Sequence, residues 1–365
     1  MAISRSAEKS KASVILREII FELLYTFPVL SRKLMKVKPT INAKAMGLFA
    51  SSYLNYYTIS KEKEHLDKAQ ECIDWLISNK IEQGDGIGWG YPFSWQSTQY
   101  IPEYTPNGIV STVAGEAFWE FYKFTNEKVY LDYCVKIATF LSSLPTDTFD
   151  NGICFSYTPV FTNHVHNLNL FVAEFLIKVG METNNQLWIS QGNLATTYTI
   201  SDQLENGSFE YNGPPEPPQN FIDNYHTGFV LRMLYSIWKI TKRRDVYDSL
   251  VKCFDHYKEN FFENGEIPKL MPDRKYRIDI HSCAESIHCL SVLSAEFPDA
   301  GILAENVQNW TIRNLQDKKG FFYYGILKSR FTGTTFKSKI AYIRWGQAWM
   351  LKALTKYIST FNLPD

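Results

Sequence analysis

The chain has no excess of either charge. Its 38 Lys and Arg equal its 38 Asp and Glu, so there is no electrostatic footprint for nucleic acid or an anionic surface. No hydrophobic run approaches the length of a membrane span. Cysteine is scarce: the six at 72, 134, 154, 253, 283 and 289 form no Cys-x-x-Cys pair and mostly occupy apolar helical positions. Free buried thiols in a reducing cytoplasm are the expectation, with no metal and no cofactor. No Pro/Ser/Gly linker or charge block divides the chain, and the one proline cluster (Pro214, Pro215, Pro217, Pro218) falls within a connection. A single domain over 1–365 is therefore expected, with a loose polar start over 1–11. The apolar segment from Ala12 to Leu30 contains Arg17 and Glu22 and lacks a small-residue cleavage site, so it does not read as a signal peptide.

What is abundant is a turn followed by aromatic residues. Asp85-Gly86, Asn151-Gly152, Asn206-Gly207, Asn264-Gly265 and Lys319-Gly320 recur at steps of roughly 55 to 66 residues. Asn-Gly and Asp-Gly favour the left-handed geometry of tight hairpins. Each step is long enough for a helical hairpin with a β-hairpin-like excursion at one end.

The helices follow from periodicity. Ile109, Val110, Val113, Ala114, Ala117, Phe118 and Phe121 keep three-and-four spacing, as do Val230, Leu231, Leu234, Ile237 and Trp238. Comparable helices begin near Met46, Leu168, Ala284 and Gln347, which makes six inner helices, apolar on more than one side. More charged partners follow, as in Lys61 to Asn79, Lys128 to Leu144, Arg244 to Phe261 and Ala304 to Leu315. The sixth inner helix, Gln347 to Tyr357, has no successor to pair with. The segment from Ala12 to Leu30 is expected to pair with it and close a ring, because an open array needs polar capping repeats. The expected fold is an all-α (α/α)6 toroid.

The segments leading into the inner helices concentrate chemistry. They are Glu103-Tyr104-Thr105-Pro106-Asn107, His164-Val165-His166-Asn167, Asp223-Asn224-Tyr225-His226-Thr227, Asp279-Ile280-His281-Ser282-Cys283-Ala284-Glu285 and Tyr342-Ile343-Arg344-Trp345-Gly346-Gln347. Four of the seven histidines lie there. Aromatic residues make up 15% of the chain, and their density in loops around Trp89, Tyr91 and Trp95 suits stacking on sugar rings as well as it suits covering the end of the ring. Asp223 or Asn224 can equally be a helix cap, and His288 reads as a core residue.

These features resemble the (α/α)6 carbohydrate-active enzymes: heparinase-type polysaccharide lyases, unsaturated glucuronyl hydrolases and glucuronyl C5-epimerases. The run Asp223-Asn224-Tyr225-His226-Thr227 is similar to the Tyr-His-Thr segment of the C5-epimerases. Together with Tyr342 to Gln347 it also resembles proteins encoded beside surface-polysaccharide synthesis genes. The Asp-rich motif of terpene cyclases and the Cys-His pair of lanthionine cyclases are missing. The resemblance implies a carbohydrate substrate containing uronate and leaves three readings open. A lyase or epimerase would use Tyr225 or Tyr342 with His226 or His281 to move a proton. Asn107, Asn167 and Arg344 would neutralise the carboxylate. A glycoside hydrolase would use Asp223 and Asp279, with Glu285 in reserve. A glycan-binding or assembly protein would offer only the aromatic cleft, with Trp89, Tyr91, Trp95, Tyr104, His166, Trp345 and Gln347 around it. The oligomeric state is not legible.

Overall fold

The computed structural model describes residues 11–97, 99–329 and 332–361. Most of the loose start expected over 1–11 lies outside them. The helices are α1 (Lys11–Thr26), α2 (Pro28–Leu34), α3 (Ala43–Ser60), α4 (Lys63–Ser78), α5 (Gly108–Thr125), α6 (Lys128–Ser142), α7 (His166–Thr183), α8 (Gln186–Ser201), α9 (Asn224–Thr241), α10 (Arg244–Asn260), α11 (Ile280–Leu293), α12 (Pro298–Leu315) and α13 (Ala348–Phe361).

Six of them, α3, α5, α7, α9, α11 and α13, form an inner ring in which each packs on the next and α13 returns to α3. The outer helices α4, α6, α8, α10 and α12 each pack on the inner helix that precedes them. The inner helices are apolar nearly all round because they are covered on both sides; in α7, fourteen of the eighteen residues are buried.

Local signals explain the repeat. Asn42, Asn107, Asp223 and Asp279 cap α3, α5, α9 and α11, each accepting a backbone N–H of the first turn through its side chain. At the other end Lys61, Asn126, Asn184 and Lys242 adopt left-handed φ of 57–60° and donate their N–H to the carbonyl four residues earlier. That cap reverses the chain within two or three residues, so inner-to-outer links are short and outer-to-inner links are long. Among the described residues, three of the five long links carry the expected hairpins, Ile81–Gln83 with Gly86–Gly88, Thr146–Phe149 with Gly152–Phe155, and Phe262–Glu263 with Ile267–Pro268. Asn206-Gly207 and Lys319-Gly320 instead form turns without paired strands on both sides. At the last of the three hairpins both Asn264 and Gly265 have positive φ, 54° and 69°, the geometry that favours this dipeptide.

Ring closure differs from the expectation. The partner that α13 finds is α3, with Asn55 Nδ2 donating to Ser359 Oγ at 3.4 Å. The N-terminal segment does not supply the missing outer helix: α1 packs chiefly on α2, Glu22 bonds Ser329 at 3.3 Å, and Arg32 lies over the Tyr342 ring at 5.3 Å. Ile15, Leu16, Ile19, Phe21, Leu23, Val29 and Leu30 remain exposed. Apolar periodicity shows that a helix has an apolar face, and it does not show which surface takes it. A chain lacking residues 1–34 is accordingly expected to unfold cooperatively within a few degrees of the full chain. Removing 348–361 should abolish the transition. Both are read by thermal melts followed at 222 nm.

Candidate functional site

The N-termini of the inner helices gather at the end of the ring that carries the long connections. Tyr225 of α9 stacks on His281 of α11 with centroids 4.5 Å apart, and Trp345 meets both rings at 5.7 and 4.4 Å. His226 lies against Tyr225 at 4.3 Å and Tyr211 at 4.7 Å. Arg344 lies over Trp345 and reaches the Tyr91 ring at 5.2 Å. Tyr91 in turn touches Trp95 and the Tyr157 hydroxyl. Tyr225, His226, His281, Arg344, Trp345, Tyr91 and Trp95 are thus brought into one cluster from four different connections.

His226 is the accessible, oriented member. Its backbone N–H donates to Asp223 Oδ1 at 2.9 Å and its Nδ1 lies 2.8 Å from Asp223 Oδ2. The His226 side chain is 22% exposed, while that of Asp223 is fully buried. With Nδ1–H donating to the carboxylate, Nε2 carries the lone pair. His281 is different: it is 2% exposed and neither ring nitrogen has a protein partner. Burial, followed by Lys44, His226 and Arg344, pushes its pKa well below that of free histidine, which keeps the imidazole neutral. Burial also raises the Tyr225 phenol, with Asp223 and Asp279 adding to the effect, so Tyr225 keeps its proton and can only donate it.

Sequence reasoning missed Lys44. It lies in the first turn of α3, buried, its ammonium over Trp349 at 5.2 Å and Phe229 at 5.9 Å. Burial, then Arg344, lowers it to about 7. Glu285, buried on α11, pairs with Arg232 through two hydrogen bonds, and burial nonetheless pushes it up to about 7. Lys44, Arg344 and Arg232 give the inside of the cluster a positive character that the helix N-termini reinforce.

Other expected residues are placed elsewhere. Trp89 is 1% exposed, donates its indole N–H to Leu76 O at 3.1 Å and stacks on Phe118; it is core, not rim. His166 points toward the outer layer, 2.8 Å from Asp202 at the end of α8. Asn107, Asp223 and Asp279 are buried caps, the latter two 1% and 0% exposed. Each of the two carboxyls accepts through Oδ1 a backbone N–H of the helix it caps. Gln347 clamps Phe322 by bonds to both its N–H and its carbonyl. Tyr342 packs on Tyr324 at 5.3 Å, beside the strands Gly325–Lys328 and Thr335–Ser338. Tyr104 is an exposed left-handed turn residue. Asn167 is buried beside His226 in a small cleft with Tyr211 and Phe221, and its Oδ1 has no protein partner. Among the described residues no group of three or more His, Cys, Asp or Glu has an arrangement that could hold a metal ion, and no helix is long and apolar enough to cross a membrane. All six cysteines are buried and free.

No protein-family model matches the sequence, and no curated protein matches it. Solved structures do match. A cellobiose 2-epimerase from Bacillus thermoamylovorans B4167 superposes with a TM-score of 0.69 at 11% identity, over 87% of each chain. An unsaturated glucuronyl hydrolase specific for heparin gives 0.60 at 13%, over 86% of this chain and 85% of that one. A polysaccharide lyase gives 0.62 at 12%, over 94% of this chain and 98% of that one. At such identities the likeness is one of fold, the (α/α)6 toroid.

Lys44 supplies a pH-dependent test. Below pH 7 its ammonium is charged in both folded and unfolded chains, and the full burial penalty acts. Above pH 7 the folded protein releases a proton that the unfolded chain holds until about 10.5, so the penalty fades as pH rises. Lys44→Met is expected to raise the melting temperature at pH 6, by on the order of a few kcal/mol in stability, and to raise it less at pH 9. Paired calorimetric scans of both proteins read the difference.

Proposed function

We propose that the protein is a carbohydrate-active enzyme that moves a proton at a sugar carbon of an acidic, uronate-containing poly- or oligosaccharide, as a lyase or a C5-epimerase does. The observation that carries this reading is the His226–Asp223 pair, a partly exposed imidazole fixed by a buried carboxylate and lying on the Tyr225 ring. Its free Nε2 is the proton acceptor, and Asp223 holds the tautomer and stabilises the imidazolium that forms. Tyr225, kept protonated by burial, is the donor that returns a proton or meets the leaving oxygen.

Acidity at a carbon beside a carboxylate rises when that carboxylate is neutralised, and donors already in place do this without reorganisation. Arg344 is the accessible cation of the cluster and can meet a carboxylate through two N–H groups. Lys44 lies deeper and adds to the same field. At the rim Trp95 and the exposed Phe93, which stacks on Tyr91, supply flat area for sugar rings. The similar structures named as an epimerase, a glucuronyl hydrolase and a lyase support a carbohydrate as substrate. A link to surface-polysaccharide synthesis belongs to this proposal and rests on the sequence resemblance alone.

His226→Ala and Tyr225→Phe are each expected to lower turnover of a uronate polysaccharide about a hundredfold or more, with the melting temperature nearly unchanged. A lyase shows new ultraviolet absorbance from an unsaturated uronate, and an epimerase shows solvent deuterium entering the sugar. New reducing ends alone would make the protein a hydrolase. Glycan binding with none of the three signals would make it a binding protein. If both substitutions destabilise by about 2 to 5 kcal/mol, as a core truncation does, His226 and Tyr225 are structural.

A further inference from the structure

Phe229, Trp349 and Phe171 form an aromatic floor beneath the His281 cluster, with Phe229 5.7 Å from His281, 5.3 Å from Trp349 and 5.4 Å from Phe171. On the far side of that floor the ring axis opens into a cavity of about 530 Å³, within the range of about 300–1,000 Å³ usual for small-molecule sites. It leads out between the C-terminal ends of the inner helices, where Lys123 and Phe124 are exposed. None of the expected site residues lines it.

The wall is polar and ordered. Lys178 lies 2.6 Å from Glu116 and 2.7 Å from Glu174, and Glu174 also accepts from Ser236 Oγ at 2.7 Å. Lys352 holds Glu120 at 2.6 Å. Burial works against these charges, yet Lys178 and Lys352 keep the Glu116 carboxyl below its ordinary range. Every carboxylate of the lining therefore touches a lysine, Glu116 and Glu174 sharing Lys178. Of the cations, Arg232 is answered by Glu285 and Lys123 by Glu182, both outside the lining. Lys356 is left with no carboxylate within 4 Å among the described residues. Beside it His288 is buried, and its Nδ1 has no protein partner. Burial, then Arg232, Lys352 and Lys356, keep that imidazole neutral. Trp119 and Trp349 contribute flat apolar walls.

We propose that this cavity is a second binding site, for a monosaccharide-sized sugar that carries one anionic group, carboxylate or phosphate. The anion meets Lys356, the ring lies against Trp119, and the hydroxyls bond to the lysine–carboxylate pairs. The volume and a lysine without a carboxylate within 4 Å make the same demand, which a neutral sugar meets only in part. The site stands apart from His226, so its existence does not depend on the reaction proposed for the other end.

The test is titration of the full chain with D-glucuronate, D-glucose 6-phosphate and D-glucose, followed by calorimetry and tryptophan fluorescence. At least one anionic sugar is expected to bind in the millimolar range or tighter, about tenfold or more above glucose. Lys356→Met should weaken it about tenfold and fold normally, because it removes a half-buried cation that has no carboxylate. Trp119→Phe should reduce the fluorescence change, and His226→Ala should leave affinity intact. Preference for the carboxylate or the phosphate identifies the source of the anion. The proposal is overturned if neither anion binds at millimolar concentration, or if glucose binds equally well. Binding that survives Lys356→Met and disappears in His226→Ala also overturns it, since that places the ligand at the other end.

Discussion

Most polar groups on the axis of this ring take a partner from another inner helix, and those bonds tie the hairpins together. Glu116 of α5 is met by Lys178 of α7, Glu174 of α7 by Ser236 of α9, and Arg232 of α9 by Glu285 of α11. Asn224 of α9 accepts from Ser286 of α11, and Lys352 of α13 reaches Glu120 of α5. Arg232 and Glu285 are both buried, and stranding one charge of such a pair costs about 3–5 kcal/mol, so this link constrains the register of α9 and α11 most strongly. Apolar burial drives the hairpins together, and these directional bonds choose one arrangement.

The same ring separates two environments. Short left-handed links leave the C-terminal end of the inner helices open to the axial cavity. Long connections crowd the N-terminal end with aromatic rings, so proton-handling side chains there are held among neighbours that tune them. His226 is exposed and oriented, His281 is buried and neutral, and Tyr225 is kept protonated. That division of labour follows from burial rather than from residue type.

Much of this was legible in the residues. Periodicity placed the six inner helices, and the glycine turns placed three of the five expected hairpins, because both are local properties of the chain. The leads before the helices named Tyr225, His226, His281 and Arg344, which do meet. Trp89 was misplaced because the residue type in a connection does not tell whether the side chain is covered. Lys44 was missed because Asn42-Ala43-Lys44 has neither the turn nor the histidine that marked the other leads. The axial cavity was invisible for a related reason. Glu116, Glu120 and Lys123, or Lys352 and Lys356, look like the solvated face of an ordinary helix. The available clue was that α5 is otherwise apolar on several sides, which leaves a charged stripe only the axis to face. Closure by α3 rather than by the N-terminal helix is a property of the whole ring and has no local signature.

The central claim is that an acidic sugar is handled at the end of the ring where His226 is oriented by Asp223. A crystal structure of the full chain soaked with a glucuronate-containing oligosaccharide tests it most directly. The account predicts sugar density with a uronate carboxylate on Arg344 and a ring carbon facing His226 Nε2, with Trp345 displaced enough to admit it. Density confined to the axial cavity, with the His226 cluster closed at saturating ligand, would contradict it.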